Sequence, residues 1–246
     1  MRLAILTDIH ANREAFEAVL QDLAARKIDR LVFLGDIVGY GPDPGWCIDK
    51  VAELVGQGAL AVRGNHDRAV GVPDGALNTN ARRVIDWTVN QLSVPQKMFL
   101  ADLPLTHEDE DILFVHASAN DPAGWIYVTN ESRARPSFIV SEARVILVGH
   151  VHKPHLYSCD RTGRVMGHEV PQGHPVPLLR SRRWLGVVGS VGQPRDGSSL
   201  SGYAILDKRA NELTFRRVGY DSATTARKVR AAGLPEALAA RLIKGE

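Results

Sequence analysis

Five polar blocks each follow a short apolar run in this chain, and this pattern constrains the fold more than any other feature of the sequence. Four of the runs end directly at a polar block, and residues 60–62 lead into the remaining one. Because the runs have the length and composition of buried strands, we expect the polar side chains to lie where strands end. The blocks are Asp8-Ile9-His10, Gly35-Asp36, Gly64-Asn65-His66-Asp67, His116 and Gly149-His150-Val151-His152.

The spacing of apolar residues predicts an α/β protein. Through the first 150 residues the apolar runs alternate with amphipathic segments, such as residues 12–26 after the strand at residues 3–6. This alternation is typical of a sheet built from βαβ units. Between the last two blocks, a helix is expected near residues 137–143.

After His152 the alternation of strands and helices is replaced by a series of predicted strands. A helical tail is expected to follow from about residue 222, with a break at Leu234-Pro235. We expect these strands to form a second, mainly antiparallel half, and residues 1–246 to form one domain. The predicted strands lie near residues 155–159, 164–170, 184–189, 202–207 and 212–218.

Composition excludes several classes of protein. The chain has 246 residues, of which 44% are hydrophobic, so it can bury a large core. The net charge of +2 and the lack of a long basic run argue against binding to extended nucleic acid. No apolar run has the length of a signal peptide or a membrane span, so we expect a cytoplasmic protein with no membrane partner. Cys47 and Cys159 form no paired motif and are expected to be reduced thiols.

The residue types in the blocks predict a metal site. Alternate residues of a strand share a face, so Asp8 should project with His10, and His150 with His152. Imidazole, carboxylate and amide ligands without cysteine suit manganese, iron, zinc or magnesium. Two ions that act together must share a ligand, and Asp36 is the natural bridging carboxylate.

As an ordered set, the blocks resemble the calcineurin-like metallophosphoesterase superfamily over residues 1 to about 152. Residues 35–42 and 190–197 further resemble a small prokaryotic, phosphodiesterase-like branch of it. The resemblance implies a four-layer α-β-β-α sandwich of two mixed sheets flanked by helices. It also implies two divalent ions, with manganese preferred. The implied ligands are Asp8, His10 and His152 for one ion, Asn65, His116 and His150 for the other, and Asp36 for both.

The implied activity is hydrolysis of small phosphodiesters or phosphomonoesters, nucleotides among them, by a hydroxide that bridges the metals. His66 is the expected acid or oxyanion stabiliser, and Asp67 is expected to orient its ring. Three residues are candidate substrate contacts. Arg195 is the preferred phosphate clamp, Tyr40 could line the cleft or pack its own turn, and Asn12 fits a helix cap better than a substrate contact.

Three other interpretations stay open at this stage. The chain could be a metal-binding scaffold or interaction protein that keeps the fold without turnover, although the presence of His66 favours an enzyme. A nuclease would need a basic groove, which the sequence does not indicate. The His66-Asp67 pair also occurs in all-helical phosphohydrolases, but the α/β pattern argues against that class. The sequence does not predict an oligomeric state.

Overall fold

The polar blocks lie at the ends of strands from two stacked sheets. The computed structural model describes residues 1–72 and 79–246, with only the backbone of residues 79–81. The strands are β1 (Arg2–Leu6), β2 (Arg30–Phe33), β3 (Leu60–Ala61), β4 (Thr106–Asp109), β5 (Ile112–Val115), β6 (Val145–Val148), β7 (His155–Cys159), β8 (Val165–His168), β9 (Pro175–Pro177), β10 (Arg183–Val187), β11 (Ser201–Asp207) and β12 (Glu212–Val218). The helices are α1 (Arg13–Ala24), α2 (Pro44–Gly56), α3 (Asn65–Gly71), α4 (Thr79–Gln91), α5 (Val94–Asp102), α6 (Glu131–Val140), α7 (Ser222–Ala231) and α8 (Glu236–Lys244).

Each sheet has six strands and mixes parallel with antiparallel pairs. The first sheet has the order β3-β2-β1-β11-β12-β9, and the second has the order β4-β5-β6-β10-β7-β8. In the first sheet, β1 runs parallel to β2 and antiparallel to β11. In the second, β10 runs parallel to β6 and antiparallel to β7. The blocks after β1 and β2 therefore come from one sheet, and those after β5 and β6 come from the other.

The central strands are apolar on both faces because both faces are buried. In β1, Leu3 and Ile5 pack between the sheets, whereas Ala4 and Leu6 pack under the helices of the first sheet. The second sheet repeats this alternation, with Leu147 between the sheets and neighbouring residues of β6 under α6. These layers confirm the predicted α-β-β-α sandwich.

The predicted division into an α/β half and a later antiparallel half was wrong. The strands after His152 are shared between the sheets, since β7, β8 and β10 join the second while β9, β11 and β12 join the first. Each sheet therefore combines strands from before His152 with strands from after it. A single domain over residues 1–246 stays a prediction.

Some local elements also differ from those expected. The helix expected near residues 137–143 spans Glu131–Val140, because the Asn130 side chain caps it by accepting from the Arg133 amide at 3.0 Å. The short strands β4 and β9 and the helix α3 were not predicted. The expected break at Pro235 is present, and it separates α7 from α8. Within the described ranges, no helix is long and apolar enough to cross a membrane.

Leu147→Ala tests the layer between the sheets. Leu147 is fully buried there, so truncation should lower the free energy of unfolding by about 2–5 kcal/mol, the usual range for a core leucine. Urea denaturation measures the change. Leu179→Ala is the matched control, because Leu179 is 57% exposed and its truncation should have little effect. Equal effects of the two substitutions would contradict the packing described here.

Candidate metal centre

The backbone of the blocks is left-handed where strand geometry was expected. Among the described residues, non-glycine residues with positive φ include five of the seven candidate ligands: Asp8, His10, Asp36, His150 and His152. The blocks after β1, β2 and β6 are thus tight turns beyond the strand ends, and the prediction that alternate residues project from a shared strand face was wrong. Such turns are costly for residues with a side chain and cluster at functional sites.

The two buried carboxylates each keep one oxygen for the centre. Asp8 Oδ2 accepts from Thr7 Oγ1 at 2.8 Å and from the His150 amide at 2.9 Å. Within the described part of the chain, Asp8 Oδ1 is buried without a hydrogen-bond partner, and it lies 3.3 Å from His152 Nε2. Asp36 Oδ1 accepts from the His66 amide at 2.8 Å. Each carboxylate is thereby oriented by one oxygen while the other faces imidazole nitrogens.

Asp36 lies between the two groups of histidines. Its Oδ2 is 3.7 Å from His10 Nε2 and 3.4 Å from His116 Nε2. Asn65 Oδ1 joins the second group, at 3.2 Å from His116 Nε2. Only Asp36 among these carboxylates faces a histidine of each group, which is the arrangement that a shared ligand requires.

Four backbone carbonyls fix the tautomers of the four imidazoles. Nδ1 of His10, His116 and His152 donates to a carbonyl, and so does Nε2 of His150. In each ring the other nitrogen is left to face the centre. His10 donates to the Val38 carbonyl at 3.0 Å, and His116 donates to the Leu34 carbonyl at 2.7 Å. His152 donates to the Gln193 carbonyl at 2.6 Å, and His150 donates to the Trp125 carbonyl at 3.0 Å.

The remaining ring nitrogens face each other in pairs. His10 Nε2 lies 3.1 Å from His152 Nε2, and His116 Nε2 lies 3.1 Å from His150 Nδ1. With the opposite nitrogens donating to carbonyls, two neutral rings would direct lone pairs at each other. A proton or a metal ion between them removes that repulsion, so the donor set fits a cation.

Burial and the carboxylates set the charge of these imidazoles. Burial lowers the pKa of His10, and burial with the neighbouring His116 lowers the pKa of His150 to about 3. Burial also opposes charge on His116, but Asp36 and Asp8 raise its pKa to about 9. The two carboxylates therefore hold positive charge in the centre, and His10 and His150 are neutral rings able to act as ligands.

His66 lies beside this centre, in the first turn of α3. Its ring packs edge-on to His10, with centroids 4.9 Å apart, and against Tyr40 at 4.5 Å. The ring is buried, and in the described residues its Nδ1 has no hydrogen-bond partner. A side chain at Gly39 would collide with Nδ1. Nδ1 is therefore packed against the turn, and Nε2 is the ring nitrogen left for a polar role.

The predicted orientation of the His66 ring by Asp67 was wrong. Asp67 Oδ1 accepts from the Ile37 and Val38 amides at 2.9 and 3.2 Å, and Oδ2 accepts from the Gly64 amide at 3.0 Å. Both oxygens are therefore engaged by backbone. Asp67 ties the Asp36 turn to the start of α3, which makes it a positioning residue for two blocks rather than a catalytic one.

Tyr40 and Arg195 stand at the edge of the centre. The Tyr40 ring is 4.7 Å from the His10 ring, and the Arg195 guanidinium carbon is 5.5 Å from the Tyr40 centroid. Arg195 also donates to Gln193 Oε1 at 2.6 Å, while its backbone amide donates to the His152 carbonyl at 3.3 Å. Both side chains therefore border the centre.

Comparison with known proteins places this arrangement in a family. Residues 1–211 match the calcineurin-like phosphoesterase superfamily domain. The chain belongs to this superfamily. A metallophosphoesterase from Sphaerobacter thermophilus is 38% identical and superposes with a TM-score of 0.88, covering 100% of this chain and 99% of that one. These matches confirm the predicted family, and with it a phosphoesterase fold whose members depend on metal.

Two curated relatives extend the comparison. The uncharacterised protein MJ0912 of Methanocaldococcus jannaschii is 33% identical over 252 residues, which cover 99% of this chain and 98% of the relative. Phosphodiesterase YfcE of Escherichia coli is 39% identical over 77 residues, covering 28% of this chain and 42% of YfcE. The similarity to MJ0912 extends over the whole length, whereas that to YfcE is confined to a segment.

Within this phosphoesterase fold, Asn12 is not a substrate contact. Its Oδ1 accepts from the Ala15 amide at 3.1 Å and from Thr225 Oγ1 at 3.1 Å, and its Nδ2 donates to the Gly192 carbonyl at 2.7 Å. Asn12 is only 1% exposed. The candidate role of Asn12 in substrate binding was therefore wrong, and the favoured helix cap is confirmed, because the side chain caps α1 and ties it to the loop that leads to Arg195.

Thr7, Ser190 and Tyr127 complete the surroundings of the ligands. Ser190 Oγ donates to the Asp8 carbonyl at 2.8 Å, and Thr7 orients Asp8 as described above. The Tyr127 ring stacks on His150 with centroids 4.0 Å apart. The sequence assigned no role to Thr7 or Ser190, although each lies next to a motif and could have been suspected.

Asn12→Ala should destabilise the protein more than loss of an ordinary cap. It removes a cap and leaves the buried Gly192 carbonyl without its donor, so we expect a loss of about 2–3 kcal/mol in unfolding free energy. Ser93→Ala is the control, because Ser93 caps the exposed start of α5 and should cost only about 1 kcal/mol. Chemical denaturation compares the two variants. An effect of Asn12→Ala no larger than that of Ser93→Ala would contradict the structural role.

Proposed function

We propose that the protein is a two-metal phosphoesterase that hydrolyses small phosphodiesters or phosphomonoesters, nucleotides among them. The observation that supports this most is the pairing of imidazole nitrogens at 3.1 Å around buried carboxylate oxygens. A cluster of this kind is unfavourable in a folded protein unless a cation occupies it. The superfamily match supplies the class of reaction.

Two groups of residues would hold the ions. The first has buried ligand atoms of Asp8, His10 and His152 within 4.8 Å of one another, and the second has those of Asp36, His116 and His150. Asn65 belongs with the second group, and Asp36 would be shared. We favour manganese, with iron, zinc and magnesium as alternatives, since nitrogen and oxygen donors suit all four.

The ions would supply an acidified water as nucleophile and neutralise charge on the phosphoryl oxygens. His66 then has the role of proton donor to the leaving oxygen, or of hydrogen-bond donor to an oxygen that gains charge. Its buried ring is held by contacts with His10, Tyr40 and Gly39. Little rearrangement of the ring is needed for that role.

Substrate binding is proposed for the Tyr40 and Arg195 side chains at the edge of the centre. A guanidinium can bind two phosphate oxygens at once. YfcE carries the name phosphodiesterase, which supports trying diesters first. The cytoplasm stays the predicted location.

Metal content tests the shared ligand. Protein purified without chelator should contain about two divalent ions per chain, as the two-metal arrangement requires. Asp36→Asn should lower the content at both positions, because the side chain faces histidines of both groups. Elemental analysis with stepwise manganese titration measures this.

Asp29→Asn is the matched control, since Asp29 lies at the opposite end of β2 and its side chain is 59% exposed. It should keep both ions. Loss of a single ion in Asp36→Asn would contradict the bridge, and folded wild-type protein that binds no divalent metal would contradict the site.

His66→Ala separates metal binding from turnover. The variant should keep both ions and lose about 10²–10⁴-fold in kcat on a diester with a poor leaving group, the usual contribution of a general acid. The loss should be smaller when the leaving group is a nitrophenolate, which needs no proton. His174→Ala, at an exposed position, is the control.

The alternative role of His66 is as a ligand, because its ring nitrogen groups with His10 and Asp36. Loss of one ion in His66→Ala would support that role instead. A metal-loaded wild type that hydrolyses no ester would identify the chain as a scaffold.

A further inference from the structure

The C-terminal helices α7 and α8 pack against the loop that borders the centre. Leu238 and Leu242 of α8 belong to a buried apolar cluster against which Tyr40 packs. A small cavity lined by both leucines also touches His10 and Gln193. These helices lie beyond the residues 1–211 that match the superfamily domain. They therefore lie outside the matched domain and reach the border of the centre.

The end of α8 is attached to the loop that carries Arg195. The Gly197 amide donates to the Gly245 carbonyl at 2.9 Å. Gly245 has φ of +72° and packs so closely on Ser198 that a side chain would collide with its backbone. A left-handed glycine ends the helix here. The last turns of α8 are thus held beside residues 195–198.

Arg241 lies in those last turns and is half-buried. Burial and the nearby charge of Arg195 lower the pKa of the Arg241 guanidinium, although it stays charged. Tyr40 lies near both arginines. Arg241 shares one face of α8 with Leu238, Leu242 and Gly245, at helical spacings of three and four residues. That face packs against Tyr40 and residues 197–198, so Arg241 borders the loop that carries Arg195.

Neither arginine has an acidic partner among the ion pairs of residues 1–72 and 79–246. The neighbouring charges are paired elsewhere: Lys228 with Glu14 and Asp43, Arg230 with Glu236, Lys244 with Glu246, and Arg217 with Asp196. Arg195 donates to the neutral amide of Gln193. Two adjacent cations without a counter-charge form a site of positive potential that favours a bound anion.

We propose that Arg195 and Arg241 bind a second anionic group of the substrate, next to the phosphoryl group that reacts. Arg195 is the inner member, because its guanidinium carbon lies 5.5 Å from the Tyr40 ring centroid and its backbone amide donates to the His152 carbonyl. Arg241 is the outer member, reached from the α8 side. The inference rests on the proposed function, and it narrows the substrate class to compounds with two neighbouring phosphoryl groups.

Calorimetric titration of the manganese-loaded protein tests this with two probes that differ by one phosphonate group. Methylphosphonate has one anionic group, and methylenediphosphonate has two joined by a stable carbon. Arg241→Gln should weaken binding of the diphosphonate about tenfold or more, the effect of losing charge-assisted hydrogen bonds. Its effect on methylphosphonate should be several-fold smaller. Arg241→Lys should recover part of the loss, because it restores charge without the planar fork.

Lys244→Gln is the matched control, since it removes one positive charge from the same helix at a side chain that is 64% exposed. It should change neither dissociation constant. If Arg241→Gln weakens both probes equally, or neither, the proposal is overturned. Thermal unfolding of each variant verifies the fold, and Arg241→Lys gives the answer should the glutamine variant be unstable.

Hydrolysis of bis(4-nitrophenyl) phosphate by the wild type is measured in parallel. An inactive protein that still prefers the diphosphonate through Arg241 would contradict the proposed function and leave the anion site standing. An active protein whose preference for the diphosphonate does not depend on Arg241 would support the proposed function and overturn the anion site.

Discussion

The centre depends on hydrogen bonds from imidazole rings to backbone carbonyls of the loops that surround it. Each of the four rings donates to a carbonyl of another loop, and the acceptors Leu34 and Val38 flank the Asp36 turn. Each hydrogen bond therefore fixes a ring and the turn that supplies its acceptor relative to each other. Since the donors come from both sheets, the centre forms only when the sheets are stacked in this register. The same hydrogen bonds therefore depend on the stacking of the sheets and select the tautomer of each ring.

Much of the site could be predicted from the order of the polar blocks, but its local geometry could not. Asp8 and His10 converge because left-handed turns follow β1, with φ of 53° and 48°, and not because they alternate along a strand. That conformation is uncommon for any residue with a side chain, even though Asp and His adopt it more often than most. Only tertiary contacts stabilise it, such as the hydrogen bond from Ser190 to the Asp8 carbonyl. Sequence patterns near Asp8 do not encode a partner so distant along the chain.

The same reason explains the errors at Asn12 and Asp67. Asp67 lies inside a polar block and Asn12 lies two residues after one, and these positions suggested contact with His66 and with substrate. Their partners are instead backbone groups, namely the Gly192 carbonyl for Asn12 and the amides of Ile37, Val38 and Gly64 for Asp67. A metal centre needs turns held in unusual conformations, and short polar side chains can satisfy the backbone groups that such turns leave unpaired. Position in a motif therefore does not separate a reacting residue from one that holds the frame.

Charge balance links the stability of the centre to its chemistry. Burying Asp8 and Asp36 is favourable only with compensating positive charge, and His116 supplies part of it, because both carboxylates raise its pKa to about 9. A proton on His116 and a divalent ion compete for the same carboxylates, so metal binding must release that proton. This requirement is the same for every substrate, so the metal ligands do not determine which substrate is bound. Substrate selection has to come from residues other than the ligands. The helices α7 and α8, which lie outside the matched domain, place Arg241 at a position where it can contribute to that selection.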